Sequence, residues 1–294
     1  YNAMLPGLVP EERMGRLSGL AWGLGYAGGL ACLVLALVLF IQPNPSPFGL
    51  DRSTSEHVRA TALLVAAWIV VFGWPVLLAL PDPAGPRPGI GQAMRAGLAE
   101  AFNILRGLPQ RPAMARFLIA RLFYTDGLNT LFAFGAIYAA GVHGMAFEEI
   151  LLFGIAMNVT AGLGAAGFGL IEDRLGSKTT IMVALGAMIV LGTLLLLAQD
   201  KTLFWILALA LGSFMGPAQA ASRTLMAQMA PPEEVTAHFG LFALSGRVTG
   251  FLGPAALALV TDATGSQAWG LATVLAFLAL GAVILAPVKL VRHS

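Results

Sequence analysis

The chain has 294 residues, of which 57% are hydrophobic and only 11% charged, and its net charge is +2. A soluble domain carries about 25% charged residues, so this composition reads as a polytopic membrane protein. The single cysteine, Cys32, excludes a disulfide framework and a cysteine zinc site, four scattered histidines make no metal cluster, and the small net charge leaves no nucleic-acid footprint.

Residue 1 is Tyr, and Tyr1–Val9 has no signal-peptide layout, so the expectation is a fragment lacking its N-terminal part. A membrane span needs about 20 apolar residues. Eight segments meet that need: 17–41, 58–80, 113–139, 147–171, 179–198, 203–230, 236–260 and 266–287. The expected fold class is an all-α helix bundle in the membrane. One set of alternate links holds Arg13, Arg16, Arg87, Arg95, Arg106, Arg111, Arg174, Lys178, Lys289 and Arg292; the other holds Arg52, Arg59 and Lys201. The richer side is expected in the cytoplasm, which places the C-terminus inside.

The outer link Gln42–His57 is proline-rich and reads as an irregular loop. The inner link Pro81–Pro112 begins with a proline run. It then sets Met94, Leu98, Ala101, Phe102, Leu105 and Leu108 on one helical face and Gln92, Arg95, Asn103 and Arg106 on the other. That spacing describes an amphipathic helix on the inner membrane surface, a linker between two bundles. Pro10-Glu11-Glu12 precedes the first span and Pro232-Glu233-Glu234 the seventh, with Met4/Met226, Ala21/Ala243, Gly28/Gly250 and Leu30/Leu252 matching at the same offset. A repeat at that offset aligns the first span with the seventh and implies four further spans before Tyr1, twelve in all as six plus six. Residues 1–80 then close the first half, 81–112 form the central cytoplasmic loop, and 113–294 are the second half.

The sharpest motif is G-x-x-x-D-R-x-G-x-K in the inner link between the fourth and fifth spans: Gly169, Asp173, Arg174, Gly176 and Lys178. Gly169 permits close helix approach, Gly176 a turn with positive φ, and Asp173 a charge-assisted lock. The loop resembles the signature loop of the major facilitator superfamily, in its second-half copy between helices eight and nine. Gly216-Pro217 with Ser222-Arg223 is similar to helix ten of that superfamily. A narrower resemblance, to the vacuole-effluxer-like branch, rests on two stretches. One is Pro10-Glu-Glu-Arg13-Met-Gly-Arg16-Leu-Ser18-Gly19-Leu-Ala-Trp22-Gly-Leu-Gly25-Tyr26-Ala-Gly28-Gly29, and the other Arg121-Leu-Phe-Tyr124-Thr-Asp126-Gly127. The superfamily resemblance implies a major-facilitator-type bundle with about eight of twelve transmembrane helices present.

Ionisable groups inside spans are costly and therefore candidates for function. There are four: Arg121, Asp126, Arg223 and Arg247. Asp126 lies near the midplane, with Asn129 on the same face at i+3. Arg121 lies about 140° around the helix from it, so a partner for Asp126 is sought on another helix, with Arg223 and Arg247 as candidates. A buried structural ion pair and a transport role stand side by side for Asp126. Gly212, Gly216, Gln219 and Arg223 form a stripe beside Pro217, which can break the helix; a ligand or a packed neighbour would fit that stripe.

The expected function is a carrier for a small polar solute by alternating access. Asp126 and Asn129 would contact substrate or a proton, Arg121 and Gln219 are further candidates, Arg223 and Arg247 would balance charge or bind a carboxylate, and Asp173 with Arg174 would lock the inner gate. The branch resemblance implies amino acids and export. A carrier for a sugar, organic acid or drug, or a scaffold or receptor of the same fold, is the alternative. No enzyme is expected, because only one carboxylate lies within a span and no histidine lies mid-span. The expected setting is a monomer in a bacterial inner membrane, without metal or cofactor, with protons as a candidate coupling ion.

Overall fold

The computed structural model describes residues 2–79 and 89–289. The proline run that opens the inner link, with Arg87, and the tail residue Arg292 lie outside the described residues. Among the described residues every regular element is helical. α1 (Leu5–Leu8) is one turn, followed by α2 (Met14–Ala36), α3 (Glu56–Ala79), α4 (Ile90–Gly107), α5 (Pro112–His143), α6 (Phe147–Leu175) and α7 (Ser177–Leu197). α8 (Lys201–Met229), α9 (Val235–Ser245), α10 (Leu252–Thr264) and α11 (Gln267–Leu285) complete the chain. Six helical segments among the described residues are long and apolar enough to cross a membrane. α5 adds a length of 32 residues, though it carries Arg116, Arg121 and Asp126.

One expected span is not continuous. The segment 236–260 is two helices, α9 and α10, separated by turns at residues 246–251. The cause is local. Pro254 has no N–H to give, and its ring meets the carbonyl of the residue four before it, Gly250. Gly246, Gly250 and Gly253 crowd the same stretch and weaken helix further. Pro217 has the opposite outcome: α8 runs through it unbroken. The carbonyl it leaves unmatched, that of Ser213, sits over Gly164 of α6, where an added Cβ would lie 1.8 Å from the oxygen.

The chain forms two compact units, Gly25–Ile90 and Tyr1–Leu24 with Gly91–Ser294. Within the first of these, the Arg52 guanidinium donates to the carbonyls of Pro43 at 2.6 Å and Ile41 at 3.1 Å, which ties the outer link together. The Ser53 hydroxyl and N–H on Asp51 hold that carboxyl below its ordinary value. Within the larger unit, α11 packs along α5 and α7, and α8 packs between α6 and α7. Phe117, Tyr124, Leu185, Met188, Met215 and Leu278 are among the fully buried residues at its centre. α4 buries Ile104 and leaves Met94, Leu98, Phe102 and Leu105 exposed, so the apolar face expected on the membrane surface is open.

Candidate functional site

One end of the larger unit, the end expected on the cytoplasmic side and called inner for that reason, is built around the glycine–aspartate motif. α6 stops at Leu175 because Gly176 takes φ +83° and ψ 147°, a backbone region essentially confined to glycine, and α7 begins at Ser177. Lys178 Nζ donates to the carbonyls of Ala286 and Val288, both at 2.6 Å, so a cation sits on the C-terminal end of α11. Asp173 Oδ1 accepts the N–H of Arg16 at 3.1 Å, in the first turn of α2. An anion there meets the positive end of the helix. Arg174 is exposed.

Close approach of α2 and α6 makes that bond reachable. A Cβ on Gly19 would lie 2.5 Å from the Ala165 carbonyl and 2.6 Å from Gly169 Cα. Gly15 and Gly23 extend the contact one turn each way, the first against Glu172 and Asp173, the second against Gly162 and Ala166. This i, i+4, i+8 stripe of glycines is a sequence pattern for close helix packing, and it carries no charge that would mark it as a functional candidate.

Arg223 belongs to the same inner region and not to the midplane. It is buried at 4% exposure. Its Nε donates to Ser18 Oγ at 3.0 Å, and its Nη2 to the Ser18 carbonyl at 2.7 Å. The guanidinium stands 5.2 Å from the Trp22 ring. Ser18 Oγ in turn donates to the Ala220 carbonyl at 2.8 Å, so three hydrogen bonds tie α2 to α8. Gly212 and Gly216 of the expected stripe face α6, against Met157, Thr160 and Ala161, while Gln219 is half-buried. Their stripe is helix packing.

Glu172 is the inner-face residue that sequence reasoning missed. It precedes the motif aspartate and looked like a link residue, yet it is 2% exposed and its Oε1 has no partner among the described residues. It lines a polar cavity of about 240 Å³ with Glu11, Glu12, Asp173, Arg174 and Gln228.

The second region is mid-span. Asp126 is 1% exposed, and its Oδ2 accepts the N–H of Gly253 at 2.8 Å. The partner on another helix is therefore a main-chain donor of α10, and the expected arginine pairing is not formed: Arg223 is committed toward Ser18, and Arg247 is exposed within the break. The broken helix is the reason, since it bares an N–H that an unbroken span would bond internally. Asp126 Oδ1 and Thr130 Oγ1 have no partner among the described residues. Asn129 is exposed and does not join them, although it is one turn away. Arg121 donates through Nη1 to the Phe242 carbonyl and, at 2.8 Å, to Ser245 Oγ at the end of α9. Tyr124, between them on α5, shares a 2.7 Å hydrogen bond with Ser222 of α8.

Nearer the outer side, α5, α6, α8 and α11 enclose a cavity of about 80 Å³ lined by Phe132, Tyr138, Phe153, Asn158, Phe204 and Leu271. The Asn158 amide donates to the Gly154 carbonyl of its own helix at 2.8 Å, so the walls are largely apolar. At the inner edge, Arg111 meets Glu234 at 2.5 Å and joins the start of α5 to the start of α9. That bond holds the Glu234 carboxyl below its ordinary value and raises Arg111. Among the described residues no three His, Cys, Asp or Glu side chains converge as metal ligands would.

Residues 10–294 match the family described as vacuole effluxer Atg22 like. The chain belongs to that family. It is 25% identical over 292 residues to the uncharacterized MFS-type transporter YxiO of Bacillus subtilis, covering 97% of this chain and 66% of the relative. It is 25% identical over 304 residues to autophagy-related protein 22 of Cryptococcus neoformans, covering 94% and 51%. Autophagy-related protein 22-2 of Aspergillus clavatus is 24% identical over 275 residues, covering 85% and 44%. The chain thus spans between under half and about two thirds of the length of these relatives.

Proposed function

We propose that this chain belongs to a secondary active transporter that moves a small polar solute across the membrane by alternating access. Amino acids leaving the cytoplasm are the proposed substrates, and protons, received at Asp126, the proposed coupling ion. The observation that carries the reading is the inner-face contact: α2 meets α6 glycine against glycine, and Asp173 holds the first turn of α2 by a main-chain N–H. The polar ties of this stretch of α2 are the Ser18 bonds to Arg223 and Ala220 of α8. Against α6 the contact is one backbone hydrogen bond and bare glycine surfaces, which close tightly and part with little loss. An inner gate needs that property. Membership of a family with MFS-type transporters among its members supports the same reading. The proposed setting is a monomer in a cytoplasmic membrane with the C-terminus inside.

The test uses the native-length protein in proteoliposomes loaded with labelled amino acids, with and without a pH gradient. Saturable efflux that follows the gradient and is lost in Asp126→Asn supports the reading. Full pH-driven flux in Asp126→Asn removes the proton role. No flux of any amino acid removes the substrate class and directs the screen to sugars, organic acids and drugs. No flux of any solute would favour a scaffold or receptor.

A further inference from the structure

We infer that Arg121 is a positioning residue for transport: with Asp126 it holds the two ends of the broken span α9–α10, so that the charge on Asp126 sets the geometry of the break. The inference rests on Asp126 being the proton site.

A helix interrupted inside a membrane bares carbonyls at the end of its first half and N–H groups at the start of its second, and lipid satisfies neither. Here the turn meets part of this need itself: the Leu244 carbonyl accepts the Arg247 and Val248 N–H groups, and the Leu252 N–H donates to the Thr249 carbonyl. α5 meets one further backbone group at each end. Arg121 reaches the end of α9, on the Phe242 carbonyl and Ser245 Oγ, with its guanidinium 3.5 Å from the Phe242 ring. Asp126 reaches the start of α10, on the Gly253 N–H at 2.8 Å. A cation lies at a C-terminus and an anion at an N-terminus, each the sign that the helix dipole favours. Five residues along α5 advance about 7.5 Å, and the turn they bridge is six residues, 246–251. Thr249 Oγ1 adds a 3.4 Å contact to the Leu122 carbonyl between them. Both anchor points are close-packed around a glycine, so a larger residue at either would make a side chain of α5 shift. A Cβ on Gly246 would lie 2.8 Å from Arg121 Nη1, and one on Gly253 2.2 Å from Thr130 Oγ1.

The two anchors differ in one respect: only the Asp126 end can lose its charge by taking a proton. Oδ1, which like the nearby Thr130 Oγ1 has no hydrogen-bond partner among the described residues, is open to it. A proton there cancels the charge matched to α10 and leaves Arg121 on α9 untouched, so α10 is released while α9 stays. Few other charges face this level. α11 carries none. α10 carries Asp262, nine residues past Gly253, and the break carries exposed Arg247. His238 of α9 and Arg223 of α8 lie toward the inner end, with Lys201 at the far end of α8. The charges of α6 sit at its two ends: Glu148 and Glu149 at one, Glu172, Asp173 and Arg174 at the other.

The test is a distance across the break. Spin labels at Leu244 and Leu259, both exposed, are placed in native-length protein whose Cys32 is replaced by Ser, and read at pH 5 and pH 8 beside proton-driven flux. Wild type should show two distance populations whose ratio changes about tenfold between the two pH values, the scale of a helix cap with its charge. Asp126→Asn should stay in the low-pH distribution at both. Arg121→Lys, which keeps the cation, should retain the pH response. Arg121→Gln should lose it, with flux falling through kcat and the solute KM unchanged. PH-driven flux over an unchanging distance overturns the inference and leaves the proton site standing. A distance that still follows pH in Asp126→Asn overturns it also. Flux and distance both indifferent to pH in wild type remove the proton site and this inference with it.

Discussion

Gly19→Ala should unlatch the inner face. The added Cβ would lie 2.5 Å from the Ala165 carbonyl and 2.6 Å from Gly169 Cα, and both are backbone that cannot rotate away. Ordinary carbon contacts begin at about 3.5 Å, so α2 and α6 must part by about 1 Å. Overpacking of this kind costs about 1–3 kcal/mol, which favours the open inner face by roughly 5- to 150-fold. The same separation lengthens the 3.1 Å bond from Arg16 N–H to Asp173 and pushes in the same direction. The assay is thiol labelling of Gln228→Cys, which lines the inner cavity, in protein whose other cysteines, Cys32 among them, are replaced. A membrane-impermeant maleimide applied to inside-out vesicles should react faster with the Gly19→Ala protein by a factor in that range. Gly25→Ala is the control, since a Cβ there meets nothing within 4 Å. An unchanged labelling rate in Gly19→Ala, or an equal rise in Gly25→Ala, would refute the glycine contact as the gate.

Gly176→Ala should lower the thermal stability of the detergent-solubilised protein by about 1–3 kcal/mol, because φ +83° with ψ 147° is strained for any side chain; melting by intrinsic fluorescence measures it. Tyr124→Phe should cost about 1 kcal/mol in the same assay, since it deletes a buried hydrogen bond while Ser222 still donates to the Ala218 carbonyl. The Glu234 carboxyl is held below its ordinary value by Arg111, so its stabilisation is present above the unfolded carboxyl value and is lost as pH falls through the folded one. The pair is 33% and 43% exposed, which limits it to about 1 kcal/mol or less. The difference in melting temperature between wild type and Glu234→Gln should therefore be small at pH 7 and shrink as pH falls below the ordinary carboxyl range.

Most long apolar helices and the turn of the glycine–aspartate motif were legible because both are local, while the expected continuous span over 236–260 was not borne out. Apolar runs of the right length became α2, α3, α5, α6, α7, α8 and α11 with ends displaced by a few residues. Gly176 reads as a turn and Asp173 with Arg174 as a lock; the turn is present, Asp173 accepts the main-chain N–H of Arg16, Lys178 holds the end of α11, and Arg174 is exposed. The charged side chains within spans were legible as important but not as to partner. Arg223 looked like a midplane cation, yet its contacts, Ser18 and Trp22, lie about 200 residues away in sequence, on a helix whose register against α8 no periodicity reveals. Glu172 was hidden for the converse reason. A residue at the end of a span reads as wet, and burial by α2 is a tertiary fact.

Two prolines show where local reading ends. Pro217 and Pro254 each follow a glycine within an apolar span, and each removes one helical N–H. At Pro217 the orphaned Ser213 carbonyl is pressed onto Gly164, where it can gain a weak Cα–H contact, and α8 continues. At Pro254 the helix stops for six residues, and the exposed ends are taken by Arg121 and Asp126. The difference lies in the neighbour: a glycine of α6 in one case, two opposite charges of α5 in the other. An interruption inside a membrane survives only where its backbone groups are met. The two charges on α5 and the break in α9–α10 are therefore one feature, written in two places more than 100 residues apart. It follows that Gly253→Ala, which drives a Cβ to within 2.2 Å of Thr130 Oγ1 and displaces Asp126, should disturb transport as Asp126→Ala does, while Gly250→Ala, whose nearest contact is 3.3 Å to the Arg247 carbonyl, should not. Equal flux in the Gly253 and Gly250 variants would show that the break is held by something other than these anchors.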